Sequence, residues 1–161
     1  MKTRVAFQKT VSFLAIILFI FFMFGVRMAS AQLPSGDMCW TIKITQNEKG
    51  PTSMTRAVKM HMVPLDSQQA SVSGIVSIPK NNPFLLMGTA SRVGSSLILN
   101  LTTTQKHKSE PWRDTGTMQA TLNPTTLSGT FWTVSKDFNT VTHEFTDGYA
   151  SGTLTKKATC P

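Results

Sequence analysis

The chain has 161 residues, 16 Lys and Arg against 8 Asp and Glu, and two cysteines. Its length suits one domain able to bury a core. The net charge of +8 does not by itself point to nucleic acid, because half of the excess sits in an N-terminal segment that reads as a targeting signal.

That segment opens with Lys2, Arg4 and Lys9, continues with an apolar run from Val11 to Val26, and closes on Arg27 and the triplet Ala29-Ser30-Ala31. Positive, apolar and small residues in that order define a secretory signal peptide, with cleavage expected after Ala31. An uncleaved anchor is the rival reading, but the run falls short of the roughly 20 residues a spanning helix needs. Removing residues 1–31 takes four basic residues and no acidic ones. The remaining residues, 32–161, carry 12 basic against 8 acidic, a net charge of +4. The expected location is secreted or periplasmic, with no membrane association after cleavage. Export places Cys39 and Cys160 where a disulfide persists, and they are expected to staple the two ends of the domain.

From Met38 onward the hydrophobic period is two, and Thr, Ser, Val and Ile dominate, so strands are expected and no amphipathic helix. Strand one alternates Trp40, Ile42 and Ile44 against Thr41, Lys43 and Thr45, and Asn47 to Thr52 breaks it. A second strand runs from about Met54 to Val63, followed by a turn at Pro64 to Gln69. The third covers Val72 to Ile78 before Pro79 to Pro83. Phe84 to Arg92 and Ser95 to Thr104 form a hairpin about Val93-Gly94, where glycine supplies a positive φ. Gln105 to Thr115 is the longest and most charged break. Gly116 to Leu122 and Thr126 to Ser135 make another hairpin about Asn123-Pro124-Thr125. Lys136 to Thr142 is expected as a loop, and the last strand runs from about His143 to Lys156. Eight short strands at this spacing argue for an all-β sandwich or barrel.

The cysteines favour the barrel. In an up-and-down meander with an even strand count the last strand ends beside the start of the first, which brings Cys160 to Cys39 within disulfide reach. The expected fold is therefore an eight-stranded antiparallel up-and-down barrel over residues 32–161, with the terminal strands joined by a disulfide. Small residues such as Gly88, Ala90, Ala150 and Gly152 serve either to bend strands tightly or to leave room for a ligand. A transmembrane barrel would need an apolar outer band with aromatic girdles, and the second face of these strands is Thr, Ser, Lys and Gln instead.

Consecutive turns of a meander alternate between the two rims. Short turns fall at the stapled rim and longer ones at the other, together with Lys106, His107, Lys108, Trp112, Arg113 and Phe138. Binding residues concentrate on loops held by a rigid scaffold, so these six form the candidate ligand site, with Trp112 expected to fold back as a lid. Loops rich in Lys also arise from solubility alone, and Glu48, Glu110, Asp114 and Asp137 dilute the positive field.

Motifs for chemistry are sparse. No nucleophile elbow or phosphate loop occurs, and the acidic residues fall in separate expected turns, which makes a carboxylate pair hard to build. Met60-His61-Met62 offers copper(I)-type ligands, but on a strand the two methionines face away from the histidine. His107 and His143 are candidates to meet at the open rim without a third ligand. No cofactor, metal or nucleic acid is expected. Trp132 reads as a core or barrel-wall residue.

In strand count, size and expected export the chain resembles the lipocalin and avidin group of small secreted barrels. The glycine of the lipocalin G-x-W motif is replaced by Met38, two positions before Trp40, so no functional residue is carried over from that group. The expected function is binding of a small, partly apolar ligand, anionic if the basic rim faces it, without catalysis. The alternatives are an exported inhibitor or protein-interaction module using the same loops, and a small barrel enzyme of cyclase or isomerase type.

Overall fold

The computed structural model describes residues 32–108 and 111–160. The expected signal segment, residues 1–31, lies outside the described residues. Eight strands run in chain order: β1 Gly36–Asn47, β2 Gly50–Pro64, β3 Gln69–Val76, β4 Phe84–Val93, β5 Ser96–Lys106, β6 Trp112–Leu122, β7 Gly129–Asn139 and β8 Phe145–Lys157. Each pairs antiparallel with the next, and β1 pairs with β8, so the sheet closes into the expected up-and-down barrel. The Cys39–Cys160 disulfide, with Cα atoms 5.2 Å apart, joins the start of β1 to the chain beyond β8. A disulfide persists in an oxidising compartment, which agrees with export.

Alternation decides what lies inside. Trp40 and Ile42 of β1, Val58, Met60 and Met62 of β2, and Leu97, Leu99 and Leu101 of β5 point inward and are buried. They meet Leu122, Phe131 and Leu154 in one core that fills the stapled half of the barrel. Apolar inside and Thr-rich outside is the reverse of a lipid-facing barrel. Trp40 is fully buried and its indole Nε1 donates to the Leu127 carbonyl at 2.6 Å. That bond holds the β6–β7 turn over the stapled end, and Leu127 itself packs on the core. The Asn123 side chain shapes the turn by accepting from the Thr125 and Thr126 amides. Asn139 repeats the device between β7 and β8, accepting from Val141 and Thr142.

Glycine has a measurable role at two of the small-residue positions. A Cβ on Gly88 would lie 2.0 Å from the Asn100 carbonyl oxygen, and one on Gly152 would lie 2.0 Å from that of Lys43. At both, glycine lets neighbouring strands close tightly, which is the bending reading and not the ligand one. Gly94 carries the expected positive φ in the β4–β5 turn, at 58°.

Three expectations at the open rim are corrected. The break at Gln105 to Thr115 shrinks, because β5 continues through Lys106 and β6 begins at Trp112, with Gln105 paired to Asp114 and Lys106 to Arg113. Lys136 to Asn139 is the end of β7, paired with β6 and β8, and not a loop. The break at Asn47 to Thr52 reduces to a turn at Glu48 and Lys49. One cause covers all three: a ladder is built from backbone groups, so charged and polar residues extend a strand as readily as apolar ones wherever the neighbouring strand supplies partners. At the stapled rim the shift is the other way, since Thr126 to Ser128 belong to the turn and β7 starts at Gly129.

Candidate functional site

Toward the open rim the inward positions change character. Continuing the inward register of β5 from Leu101 gives Thr103 and Gln105; that of β6 from Met118 gives Gly116 and Asp114; that of β7 from Phe131 gives Thr133, Ser135 and Asp137. These strand ends surround a cavity of about 300 Å³ that opens at the rim. Its floor is apolar, with Ile42, Leu86, Met118 and Phe131, and its collar is polar, with Glu48, Arg56, Thr103, Asp114, Ser135 and Asp137. Two larger depressions, of about 470 and 620 Å³, are open grooves on the outer wall.

The best-built part of the collar is a chain of hydrogen bonds across the β3–β4 connection, β5 and β6. The Asn81 side-chain oxygen accepts from the backbone amides of Asn82 and Lys108, at 2.8 and 2.9 Å, which turns its amide nitrogen toward His107 Nδ1 at 3.1 Å. Nδ1 therefore accepts, and the ring proton resides on Nε2. His107 Nε2 donates it to Asp114 Oδ2 at 2.9 Å. Asn82 fixes the same corner from below, donating to the Lys106 carbonyl at 2.7 Å while its own carbonyl accepts from the Gln105 amide. Asp114 is 9% exposed, and its other oxygen, Oδ1, is buried with no hydrogen-bond partner among the described residues.

Asp137 stands opposite Asp114 on the neighbouring strand. Burial, and next the Asp114 carboxylate, hold its pKa above the usual aspartate value; Glu48 adds to this, and Ser135 and the His107 ring pull the other way. Arg56 is the basic residue of the collar, with Nη1 donating to the Thr55 carbonyl at 2.9 Å. The sign of the stability effect follows. In the unfolded chain Asp137 ionises at its ordinary value, so the folded state loses stability as pH rises from there through the raised pKa, and the cost is full above it. Asp137→Asn is expected to stabilise the protein at pH 7 by up to about 1 kcal/mol, the limit set by solvent screening of a half-exposed group. Thermal melts at pH 7 and pH 3 check this, with the gain confined to pH 7. A gain of equal size at both would show that packing, not charge, is responsible.

The expected site residues separate. His107 belongs to the collar chain. Trp112 opens β6 half-buried, opposite Asn139, but does not line the cavity. Lys106 and Arg113 are exposed and border the outer groove of about 470 Å³. Lys108 is exposed, and Phe138 stacks on Phe145 at 4.8 Å on the register that faces out. Lys106 and Arg113 therefore lie away from the mouth. The cavity itself meets Glu48, Asp114 and Asp137 against Arg56.

One further expectation changes: a carboxylate pair does form, because β6 and β7 set Asp114 and Asp137 in register. Trp132 is a barrel-wall residue, on the outer side and about half exposed, with its Nε1 donating to Gln119 Oε1 at 3.2 Å. Met60 and Met62 are buried inside while His61 bonds Asp37 at 2.6 Å outside, which rules out a shared copper site. His143 sits against the Phe138 ring and not at His107. Among the described residues no cluster of three or more His, Cys, Asp or Glu could hold a metal ion. No protein-family model, no curated protein and no solved structure matches this chain.

Proposed function

We propose that the protein is an exported, non-enzymatic binding protein, secreted or periplasmic, that holds a small and largely apolar molecule in the open mouth of its barrel. The observation that carries this reading is the cavity of about 300 Å³ with an apolar floor and a polar collar. Small-molecule sites have this composition, and the volume lies at the lower end of their range. The rigid, stapled half of the barrel supports the floor from below.

Ala150 lines the cavity on β8, at an inward position paired with Thr133. Ala150→Phe should fill the mouth and weaken binding of a neutral apolar fluorophore such as N-phenyl-1-naphthylamine at least about tenfold, or about 1.4 kcal/mol of binding free energy. Fluorescence titration reads the affinity, and circular dichroism checks that the barrel persists. Unchanged binding in a folded Ala150→Phe variant would move the ligand out of this cavity.

One observation favours a second reading. Asp137, with its raised pKa, faces an Asp114 carboxylate fixed by His107, and a carboxyl group held above its ordinary pKa serves proton transfer in small enzymes. Exchange of ligand carbon-bound hydrogen for deuterium during incubation in D2O would support that reading over simple binding. The reading as a protein-interaction module gains less, since Trp112 is half-buried and the barrel mouth holds a cavity.

A further inference from the structure

Charge is unevenly spread around the barrel. Residues 67–109 contain no Asp or Glu, and Glu110 is the one acidic residue between Asp66 and Asp114. That stretch holds β3, β4 and β5, so three neighbouring strands form a wall without carboxylates. Cations gather at its open-rim end. Lys106 stands directly opposite Arg113, and Lys108 follows with its amide bound to Asn81. Lys80 lies beside Asn81, in the connection that the bond from Asn82 to the Lys106 carbonyl holds against β5. All four are exposed, and among the described residues none has an ion pair. Like charges directly opposite on neighbouring strands are destabilising, so Lys106 and Arg113 carry a cost that an external anion offsets.

Hydrocarbon adjoins these cations. Ile75 of β3 stands opposite Leu85 of β4, with Met87 two positions on along the same outward face. Leu85 is 52% exposed and Met87 68%. Leu85 and Pro83 border the outer groove of about 470 Å³ together with Lys106 and Arg113, so the cations and the apolar side chains make one surface. Its composition selects the partner. A protein surface presents both signs of charge, whereas this wall has nothing for a partner's cations to meet. Nucleic acid is uniformly negative but leaves Leu85 and Met87 unserved, and among the described residues no aromatic ring is exposed on these three strands to stack on a base. An anionic bilayer offers phosphates to the cations and its acyl boundary to the hydrocarbon.

We propose that this wall docks the exported protein on an anionic lipid surface, with Lys80, Lys106, Lys108 and Arg113 at the headgroup phosphates and Leu85 and Met87 at the acyl boundary. The expectation of no membrane association after cleavage concerned an anchor, and peripheral docking needs none. Docking brings the rim that holds the mouth beside the bilayer, where small apolar molecules dissolve; that consequence alone rests on the binding reading.

Co-sedimentation with vesicles of phosphatidylcholine alone, and of phosphatidylcholine mixed equally with phosphatidylglycerol, tests the assignment. The mixed vesicles should bind at least about tenfold more tightly, and salt at about 1 M, where the screening length is about 3 Å, should remove that preference. Lys106→Ser combined with Arg113→Ser should weaken binding to the mixed vesicles at least about tenfold, since each cation near such a surface contributes roughly fivefold. Leu85→Ser combined with Met87→Ser should weaken it at least about threefold. Lys43→Ser combined with Lys157→Ser removes the same charge from β1 and β8 and should change it less than about twofold. Circular dichroism checks that each variant keeps the barrel. No binding to either vesicle, equal binding to both, or an equal loss from the two pairs of cation substitutions overturns the proposal. Binding indifferent to the Leu85 and Met87 substitutions overturns it too, in favour of a soluble polyanion or an acidic protein. Fluorophore binding without vesicles tests the cavity separately, so either reading can fail alone.

Discussion

Replacing Cys39 and Cys160 together by alanine is expected to lower the free energy of unfolding by roughly 3–5 kcal/mol. The disulfide spans 121 residues of sequence, almost the whole domain. A link of that length removes a large part of the unfolded chain's freedom, and chain-entropy arguments give about 4–5 kcal/mol, with measured losses often smaller. Both cysteines must change together, since one alone leaves a reactive thiol. Domains of this size hold about 5–15 kcal/mol in total, so the double variant should be visibly less stable in urea titrations. A loss below about 1 kcal/mol would show that the ladder between β1 and β8 secures closure unaided.

Trp40→Ala is expected to cost about 3–5 kcal/mol, because it empties the largest wholly buried side chain from the stapled half. Two further interactions go with it. The Leu127 carbonyl is deprived of its indole donor, and Lys156 of the ring that its ammonium overlies at 5.2 Å. Trp40→Phe separates the contributions: most of the packing stays, and the missing hydrogen bond should cost about 1–2 kcal/mol. Equilibrium unfolding of both variants gives the comparison. If Trp40→Phe proves as damaging as Trp40→Ala, the β6–β7 turn depends on the indole hydrogen bond more than the core depends on the ring. Cys39 and Trp40 are adjacent, so losses at these sites should not simply add.

The stapled half was the legible half. Trp40, Ile42, Val58, Met60 and Met62 alternate with polar residues, so a period of two distinguishes inside from outside without structural help. The pairing of Cys39 with Cys160 follows from their being the two cysteines of a chain expected to be exported, and with an even number of strands it fixes which turns share a rim. Contrast fails toward the mouth, where inward Gln105, Asp114 and Asp137 are as polar as outward Lys106, Arg113 and Lys136. Composition there reads as loop, and the strands were cut short accordingly. A signal did remain: counting back by twos from Met118 reaches Asp114, and counting forward by twos from Phe131 reaches Asp137. Parity extended through polar residues would have placed both carboxyls inside and Lys106, Arg113 and Phe138 outside. The bond from Asn81 to His107 to Asp114 had no such signal, because it depends on how the β3–β4 connection folds against the end of β5.

Closure of the ladder between β1 and β8 has a consequence for how other chains can be met. Open sheets end in strands whose free amides and carbonyls invite a further strand, from a partner or from another copy. Each of the eight strands has two neighbours, but β2 pairs with β3 only from Val58 onward, so among the described residues strand addition is confined to the one open edge, residues 50–57 of β2 beside the mouth. The exposed apolar side chains of the outer wall, Leu85, Met87 and Trp132 among them, can be engaged face-on by another protein's side chains. Backbone-directed contact is left to that edge and to the turns, and the four turns at the open rim are the ones that frame the mouth.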